Sequence, residues 1–268
     1  MASPIDNIKE AFDGFVEVVN DVAILVNEGP ASYPGLYATI KDIHSAILPV
    51  GYSLLTLYFL LDFFSKTVNF QFFKWETVVS CCVKLIFAKF IMEHAFDLLD
   101  AIFAISAHIT NMVGLQGSNA NIYVDYDAIE EEYNSLGWFD KKFFAIKLLP
   151  FEICIWVIKV VIILVVFGRL FELMIYTAVS PIPISTAIND NLNGTAKRFI
   201  LDYAAVCLQG IIIIIGCIVY IAISANITLG SFTGNGANMA LWKGVLSALA
   251  LLIVVIKSNS WAKKLTGA

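Results

Sequence analysis

Long apolar runs are the feature of this sequence that most constrains its fold. Residues 47–64, 151–167 and 199–225 form three such runs, and each carries no more than two charged residues. A helix that crosses the hydrocarbon core of a bilayer needs about 20 predominantly apolar residues. Hydrophobic residues make up 59% of the chain and charged residues 15%, against about 45–50% and about 25% in soluble domains. The sequence therefore predicts an integral membrane protein.

The predicted fold is all-α, a polytopic transmembrane helix bundle preceded by an amphipathic helix. We assign residues 1–30 to an extracytoplasmic amphipathic helix and residues 31–268 to the membrane domain. About five spans are predicted in that domain, at residues 36–64, 75–113, 151–179, 199–225 and 241–256, with a polar outer loop over residues 114–147. At a rise of about 1.5 Å per residue, segment 75–113 reaches almost twice the roughly 30 Å of hydrocarbon. That segment must therefore tilt, break or project beyond the membrane.

Lysine and arginine residues are distributed unevenly between the two sides of the predicted bundle. One side carries Lys66, Lys74, Lys197, Arg198, Lys257, Lys263 and Lys264, and the other carries Lys9, Lys41, Lys141, Lys142 and Lys147. Short loops rich in basic residues stay in the cytoplasm. We therefore predict a multi-pass protein of the cytoplasmic membrane, with its N-terminus outside and its C-terminus in the cytoplasm.

The N-terminal segment has the pattern of an amphipathic helix rather than of a span. Its apolar residues recur at alternating spacings of three and four and define an N-terminal seam: Ile5, Ile8, Phe12, Phe15, Val19, Val22 and Val26. Acidic residues occupy the other faces, whereas membrane-surface helices usually carry Lys and Arg there. Two interpretations are open. The seam packs on the chain's own bundle, or it faces a partner, in which case a protein or a neighbouring subunit is favoured over lipid headgroups.

Segment 75–113 also carries a run of ionisable residues, the polar stripe: Lys84, Lys89, Glu93, His94, Asp97 and Asp100. Ionisable groups within a span are costly and usually face a bundle interior or a wet cavity. One hypothesis is a proton or ion pathway built on Glu93, His94 and Asp97, as in an ion-coupled transporter of small solutes. The alternatives are structural ion pairs between helices and a helix that lies partly outside the hydrocarbon.

Patterns of catalytic and ligand-binding sites do not occur in the sequence. There is no G-x-S-x-G nucleophile motif, the three histidines lack metal-site spacing, and the glycines of residues 230–236 lack the Lys-Ser/Thr of a phosphate loop. We therefore predict no enzyme, no catalytic residues, no metal and no cofactor. Arg169 and Glu172, three residues apart near the end of the third span, indicate a local pair, with Arg169 reaching toward the headgroups.

Two closely spaced prolines interrupt the chain after the third span. The sequence there reads Ser180-Pro181-Ile182-Pro183-Ile184-Ser185, and a polar stretch over residues 189–198 follows. Proline cannot donate a backbone hydrogen bond and restrains the residue before it. We expect a non-helical bend of fixed shape at the cytoplasmic surface. It serves either as a docking site, formed by Ser180, Pro181, Pro183 and Ser185, or as an ordinary helix terminator.

This layout, and the proline-containing break in particular, resembles the TrbL-type polytopic inner-membrane subunit of type IV secretion systems. A similar Ser-Pro-Ile/Leu-Pro turn before a polar stretch is familiar in the compact TrbL-like proteins of conjugative elements in Gram-positive bacteria. The resemblance implies a membrane platform or channel component for conjugative transfer of DNA or protein. It implies a ring-shaped homo-oligomer that works in the lipid bilayer with other secretion membrane subunits and with separate ATPases. Direct contact with transported DNA or protein stays open, because the chain is acidic, with a net charge of −5.

Overall fold

The structure, a computed structural model, describes residues 4–68, 75–117, 126–135, 137–224 and 237–268. These ranges are helical almost throughout and contain no strand, which confirms the all-α prediction. The helices are α1 (Pro4–Asn27), α2 (Pro34–Val68), α3 (Trp75–Glu93), α4 (Ala95–Gly117), α5 (Tyr126–Ser135), α6 (Trp138–Val179), α7 (Pro181–Ile184), α8 (Asn193–Ser224) and α9 (Ala237–Thr266), with 3₁₀ turns at Pro30–Ser32 and Ser185–Ile188. Residues 118–125 and 136 of the predicted outer loop, and residue 225 of the predicted fourth span, lie outside the described residues.

Within the described residues, five helical segments are long and apolar enough to cross a membrane, in agreement with the predicted number of spans. They are Pro34–Val68, Ala95–Val113, Lys141–Val179, Asn193–Ile223 and Trp242–Thr266. Within the described part of the predicted outer loop, α5 and the start of α6 are helical. The chain is therefore a multi-pass helical membrane protein.

The long segment 75–113 is divided at His94. Helix α3 ends at Glu93 and α4 begins at Ala95, yet the backbone hydrogen bonds continue past the turn: the His94 amide donates to the Phe90 carbonyl at 3.1 Å, and the Leu98 amide donates to the His94 carbonyl at 2.9 Å. The structure thus shows an interruption of one residue, while a tilt of the segment and its projection beyond the membrane stay predictions. Only the second part, from Ala95 onward, has the composition of a span.

The first of two compact units comprises Met1–Asn27, Ile109–Gly168 and Gly210–Ser258. Its core packs α1 against apolar side chains of α6, α8 and α9. The Phe15 ring meets the Tyr220 ring edge to face, with 5.7 Å between centroids. Gly244 of α9 admits Phe12, because a Cβ at Gly244 would lie 2.6 Å from Phe12 Cε1.

The N-terminal seam is part of this core. Its members are no more than 2% exposed: Ile8, Phe12, Phe15, Val19, Val22 and Val26; the side chain of Ile5 lies outside what the structure describes. The prediction that the seam faces a partner is therefore wrong, and packing on the chain's own bundle is the correct interpretation. The physical reason is that α6, α8 and α9 together offer enough apolar surface to cover a seam of this length.

The second unit comprises Glu28–His108, Arg169–Gln209 and Asn259–Ala268. Its main core joins apolar side chains of α2, α3, α4, α7 and α8, among them Leu55, Met92, Leu99 and Tyr203. Helix α2 and the segment after α6 approach closely at Gly51, where a Cβ would lie 2.8 Å from Pro181 Cβ and 3.1 Å from the Pro181 carbonyl oxygen. Glycine at this position of α2 is therefore what lets the proline-containing segment pack against the helix.

Candidate functional site

The proline-containing segment keeps a right-handed helical backbone. Ser180 has φ −51° and ψ −33°, α7 follows at once, and the chain turns only at Asn189, with φ −89° and ψ 124°. The prediction of a non-helical bend at residues 180–185 is therefore wrong. Proline is tolerated in the first turn of a helix because the amides there have no intrahelical acceptor. The polar residue Asn189, rather than either proline, redirects the chain.

One side-chain hydroxyl replaces an amide that a proline lacks, and two others bond carbonyls farther along the segment. The Ser180 hydroxyl donates to the Thr177 carbonyl at 3.0 Å, which is the carbonyl that an amide at position 181 would have bonded in a continuous helix. The Ser185 hydroxyl donates to the Ile182 carbonyl at 2.6 Å, and the Thr186 hydroxyl donates to the Pro183 carbonyl at 2.7 Å. The two serines of the motif thus have a local backbone function.

Most of the residues predicted to form a docking site here are buried. Ser180 and Ser185 are 0% exposed, Pro181 is buried against Gly51, and only Ile182 and the half-buried Pro183 reach the surface. The prediction of docking by Ser180, Pro181 and Ser185 is therefore corrected. These residues fix the shape of the segment and hold it on α2, and a partner can reach it only through the Ile182–Pro183 edge.

An ion cluster with two carboxylates and two lysines lies next to the turn at Asn189. It is formed by Asp62, Lys66, Lys84 and Asp190. Lys66 Nζ lies 2.5 Å from Asp62 Oδ2 and 2.9 Å from Asp190 Oδ2, and Lys84 Nζ lies 2.5 Å from Asp190 Oδ1. The Asp190 amide donates to Asp62 Oδ1 at 3.4 Å. Asp190 thereby connects the end of α2 and the middle of α3 to the loop that precedes α8.

The hydrogen bonds from Lys84 and then Lys66 hold the pKa of the Asp190 carboxyl below its ordinary value. Sequence reasoning placed Lys84 in the polar stripe and Lys66 at the end of the first span, but did not find the two carboxylates. The spacing of Asp62 and Lys66, one helical turn apart, was a usable signal for half of the cluster. Nothing in the sequence indicates that Asp190 meets Lys66 and Lys84 across so long a separation in the chain.

The rest of the polar stripe lies at the surface in small groups. Lys89 Nζ is 3.6 Å from Glu93 Oε1, and the Tyr52 hydroxyl donates to the same Glu93 oxygen at 3.1 Å. The His94 ring meets Phe90 with 4.5 Å between centroids, and Asp97 is exposed while Asp100 is half-buried. In the described residues, Glu93, His94 and Asp97 are all exposed and so do not form an enclosed pathway.

Arg169 is buried, contrary to the prediction that it reaches the headgroups. It is 3% exposed; its Nε donates to the Val206 carbonyl at 2.9 Å and its Nη2 to the Cys207 carbonyl at 3.4 Å. The Ser106 hydroxyl donates to the same Cys207 carbonyl at 2.8 Å. Carbonyl oxygens have two lone pairs, so those of α8 can accept a second hydrogen bond. These bonds offset part of the cost of burying the guanidinium.

The chemistry available at these positions is structural. Over the ranges that the structure describes, no three His, Cys, Asp or Glu side chains are grouped so as to hold a metal ion. The charges in the ion cluster neutralise one another, and the hydroxyls of the proline-containing segment are bonded to backbone carbonyls. The arrangement fixes the relative positions of α2, α3 and the loop before α8.

Comparison with models of protein families gives a match. Residues 16–181 match the model of the family described as TrbL/VirB6 plasmid conjugal transfer like protein. That range runs from α1 to the first residue of α7 and so includes the start of the proline-containing segment. Among curated proteins and among solved structures, nothing matches the chain. Because the family model covers more than half of the sequence, the chain belongs to the TrbL/VirB6 plasmid conjugal transfer-like family.

Proposed function

We propose that this protein is a non-enzymatic, homo-oligomeric platform or channel subunit in the membrane part of a type IV secretion machine for conjugation. The family match over residues 16–181 carries the proposal. Separate ATPases supply the energy, and other membrane subunits complete the machine.

The distribution of buried surface among the spans supports a subunit that associates laterally. In the most apolar 18-residue stretch of each helix, the share that is buried within the chain is 61% for α8, but only 17% for α2 and 22% for α6. Helix α8 is therefore central, while α2 and α6 leave most of their apolar surface to lipid or to neighbouring subunits. Large exposed side chains such as Trp156, Leu164 and Phe171 lie on the uncovered side of α6.

We also propose that the loops next to Lys66, Lys197 and Arg198 face the cytoplasm together with the C-terminus, because basic loops are retained there. This orientation puts the loop with Asp190 and the exposed Ile182–Pro183 edge on the side where the ATPases act. The alternative of an ion-coupled transporter has no support, because Glu93, His94 and Asp97 are exposed side chains at the junction of α3 and α4.

Deletion of the coding sequence from a donor strain that carries the conjugative element tests the role in transfer. Conjugation frequency should fall to background, and wild-type protein supplied in trans should restore it. Levels of the secretion ATPases, followed by immunoblot, control for effects on neighbouring genes. Undiminished transfer by the deletion strain would show that the proposed function is wrong.

The mass of the detergent-extracted protein under native conditions tests the homo-oligomer separately. The expected species is a multiple of the 29.5 kDa chain mass. Extraction in lipid nanodiscs serves as a control for dissociation by detergent. A monomer in both preparations, from cells in which transfer is active, would contradict the oligomeric part of the proposal.

A further inference from the structure

The face of α1 opposite the N-terminal seam is strongly acidic and exposed. The seam is buried in the core of the first unit. Five carboxylates, spaced by three or four residues on the rest of the helix surface, are exposed: Asp6, Glu10, Asp13, Glu17 and Asp21. Helix α1 carries a single lysine, Lys9, over its whole length. An acidic face is ordinary on a helix in water, so its significance depends on where α1 lies relative to the spans.

Helix α1 lies alongside the most apolar parts of the membrane helices. Asn7, Glu10 and Ala11 line a cavity together with Glu152, Ile153 and Trp156 of α6. Farther along α1, a Cβ at Gly14 would lie 2.9 Å from Lys159 Nζ. The residue numbers increase together on both helices, so α1 and α6 run parallel.

At the same rise per residue, this register places Glu17 at the level of Ile162 and Asp21 at the level of Val166 along the helix axis. Both of these α6 residues belong to the core that includes the α1 seam. They lie in the stretch of residues 160–167, which contains only aliphatic and aromatic side chains. Phe15 of α1 also contacts Tyr220 of α8, so α1 lies beside the apolar part of a second span at this level.

Lipid is a poor neighbour for this face. A carboxylate at the centre of a membrane helix shifts the insertion equilibrium by about a hundred-fold against the inserted state, and Glu17 and Asp21 are two such groups one turn apart. A dry contact between the α1 faces of two subunits is equally unfavourable, because it would set like charges opposite one another. The cavity of about 310 Å³ beside Glu10, Glu152 and Lys159 shows that polar groups of α6 open onto the same surface.

We infer that the acidic face of α1 borders a water-filled lumen enclosed by several copies of this chain. The inference rests on the proposed oligomeric channel and names the surface that lines it. This inference replaces the extracytoplasmic position assigned to α1 from the sequence: α1 lies at the level of the spans and faces the lumen, while the α6 surface around Leu164 faces lipid. Carboxylates at the wall make the lumen more accessible to cations than to anions.

Cysteine accessibility in intact membranes tests this assignment. Glu17→Cys and Asp21→Cys are made in a chain whose five native cysteines are replaced by alanine. Leu164→Cys is the matched control, since Leu164 is 63% exposed and lies in residues 160–167 of α6, at the level of positions 17 and 21. Because thiolates form poorly in apolar surroundings, membrane-impermeant methanethiosulfonates should label positions 17 and 21 at least about ten-fold faster than position 164. A cationic reagent should label both positions faster than an anionic one.

Equal rates at positions 17, 21 and 164 would overturn the inference. Should a cysteine variant fail to accumulate, a water-soluble carbodiimide with an amine nucleophile is applied to the wild-type protein in membranes, and modified Glu17 and Asp21 are read by mass spectrometry. Unmodified carboxylates at both positions would again overturn it. If positions 17 and 21 are labelled fast but deletion of the gene leaves conjugation unchanged, the proposed function is refuted and the water-facing assignment stands. If they are labelled slowly but deletion abolishes conjugation, the water-facing assignment is refuted and the proposed function stands.

Discussion

The contact between Gly51 and Pro181 yields a prediction whose sign and size follow from the structure. In Gly51→Ala, the added Cβ would lie 2.8 Å from Pro181 Cβ and 3.1 Å from the Pro181 carbonyl oxygen, both inside the 3.4 Å at which ordinary contact begins. A proline ring and a backbone carbonyl cannot turn away as a flexible side chain does. Such overpacking costs about 1–3 kcal/mol, while alanine in a helix interior gains about 1 kcal/mol over glycine.

The matched control is Gly168→Ala, because Gly168 also lies inside a helix but nothing approaches its Cβ position within 4 Å. Only the helix-propensity gain of about 1 kcal/mol acts there. The two variants should therefore move thermal unfolding of the purified protein in detergent in opposite directions, with Gly51→Ala lowering the midpoint and Gly168→Ala raising it. Conjugation by a donor that expresses each variant gives a second readout. A Gly51→Ala protein that is stabilised as much as Gly168→Ala would refute the packing of the proline-containing segment on α2.

Three further predictions concern other parts of the two units. Phe12→Ala should destabilise the protein by about 3–5 kcal/mol in chemical unfolding, whereas Ile24→Ala, at a position that is 64% exposed, should change little; equal effects would contradict the packing of α1. The Asp190 carboxylate should stabilise the folded protein fully at pH values above the pKa of this carboxyl in the unfolded chain, about 3.9. This stabilisation should be lost as the pH falls through the lower pKa of the carboxyl in the folded protein. The thermal midpoints of wild type and Asp190→Asn should therefore converge at acidic pH, and a gap that does not depend on pH would argue against the ion cluster. Arg169→Gln should cost about 1–3 kcal/mol, because it loses the hydrogen bonds to α8; an unchanged midpoint would show that the buried guanidinium is not stabilising.

The sequence alone was sufficient for the class of fold and the number of spans. Apolar runs of the length needed to cross a bilayer are a local property, so no knowledge of packing was required to find them. The Ser-Pro-Ile-Pro motif likewise led to the family, which the match over residues 16–181 confirms. The seam of α1 could be identified from its periodicity, since a spacing of three and four residues places side chains on one face whatever they later contact.

The surfaces that these side chains contact were decided only by the tertiary structure. Periodicity shows that the α1 seam is covered but not by what, and the covering surface comes from α6, α8 and α9, far away in the chain. The partners of Arg169 are backbone carbonyls, which every residue carries and no sequence pattern marks. Proline restricts a backbone without fixing its path, so the helical geometry at Ser180 followed from packing against Gly51. Asp190 meets two lysines because folding brings the end of α2 and the middle of α3 to one loop.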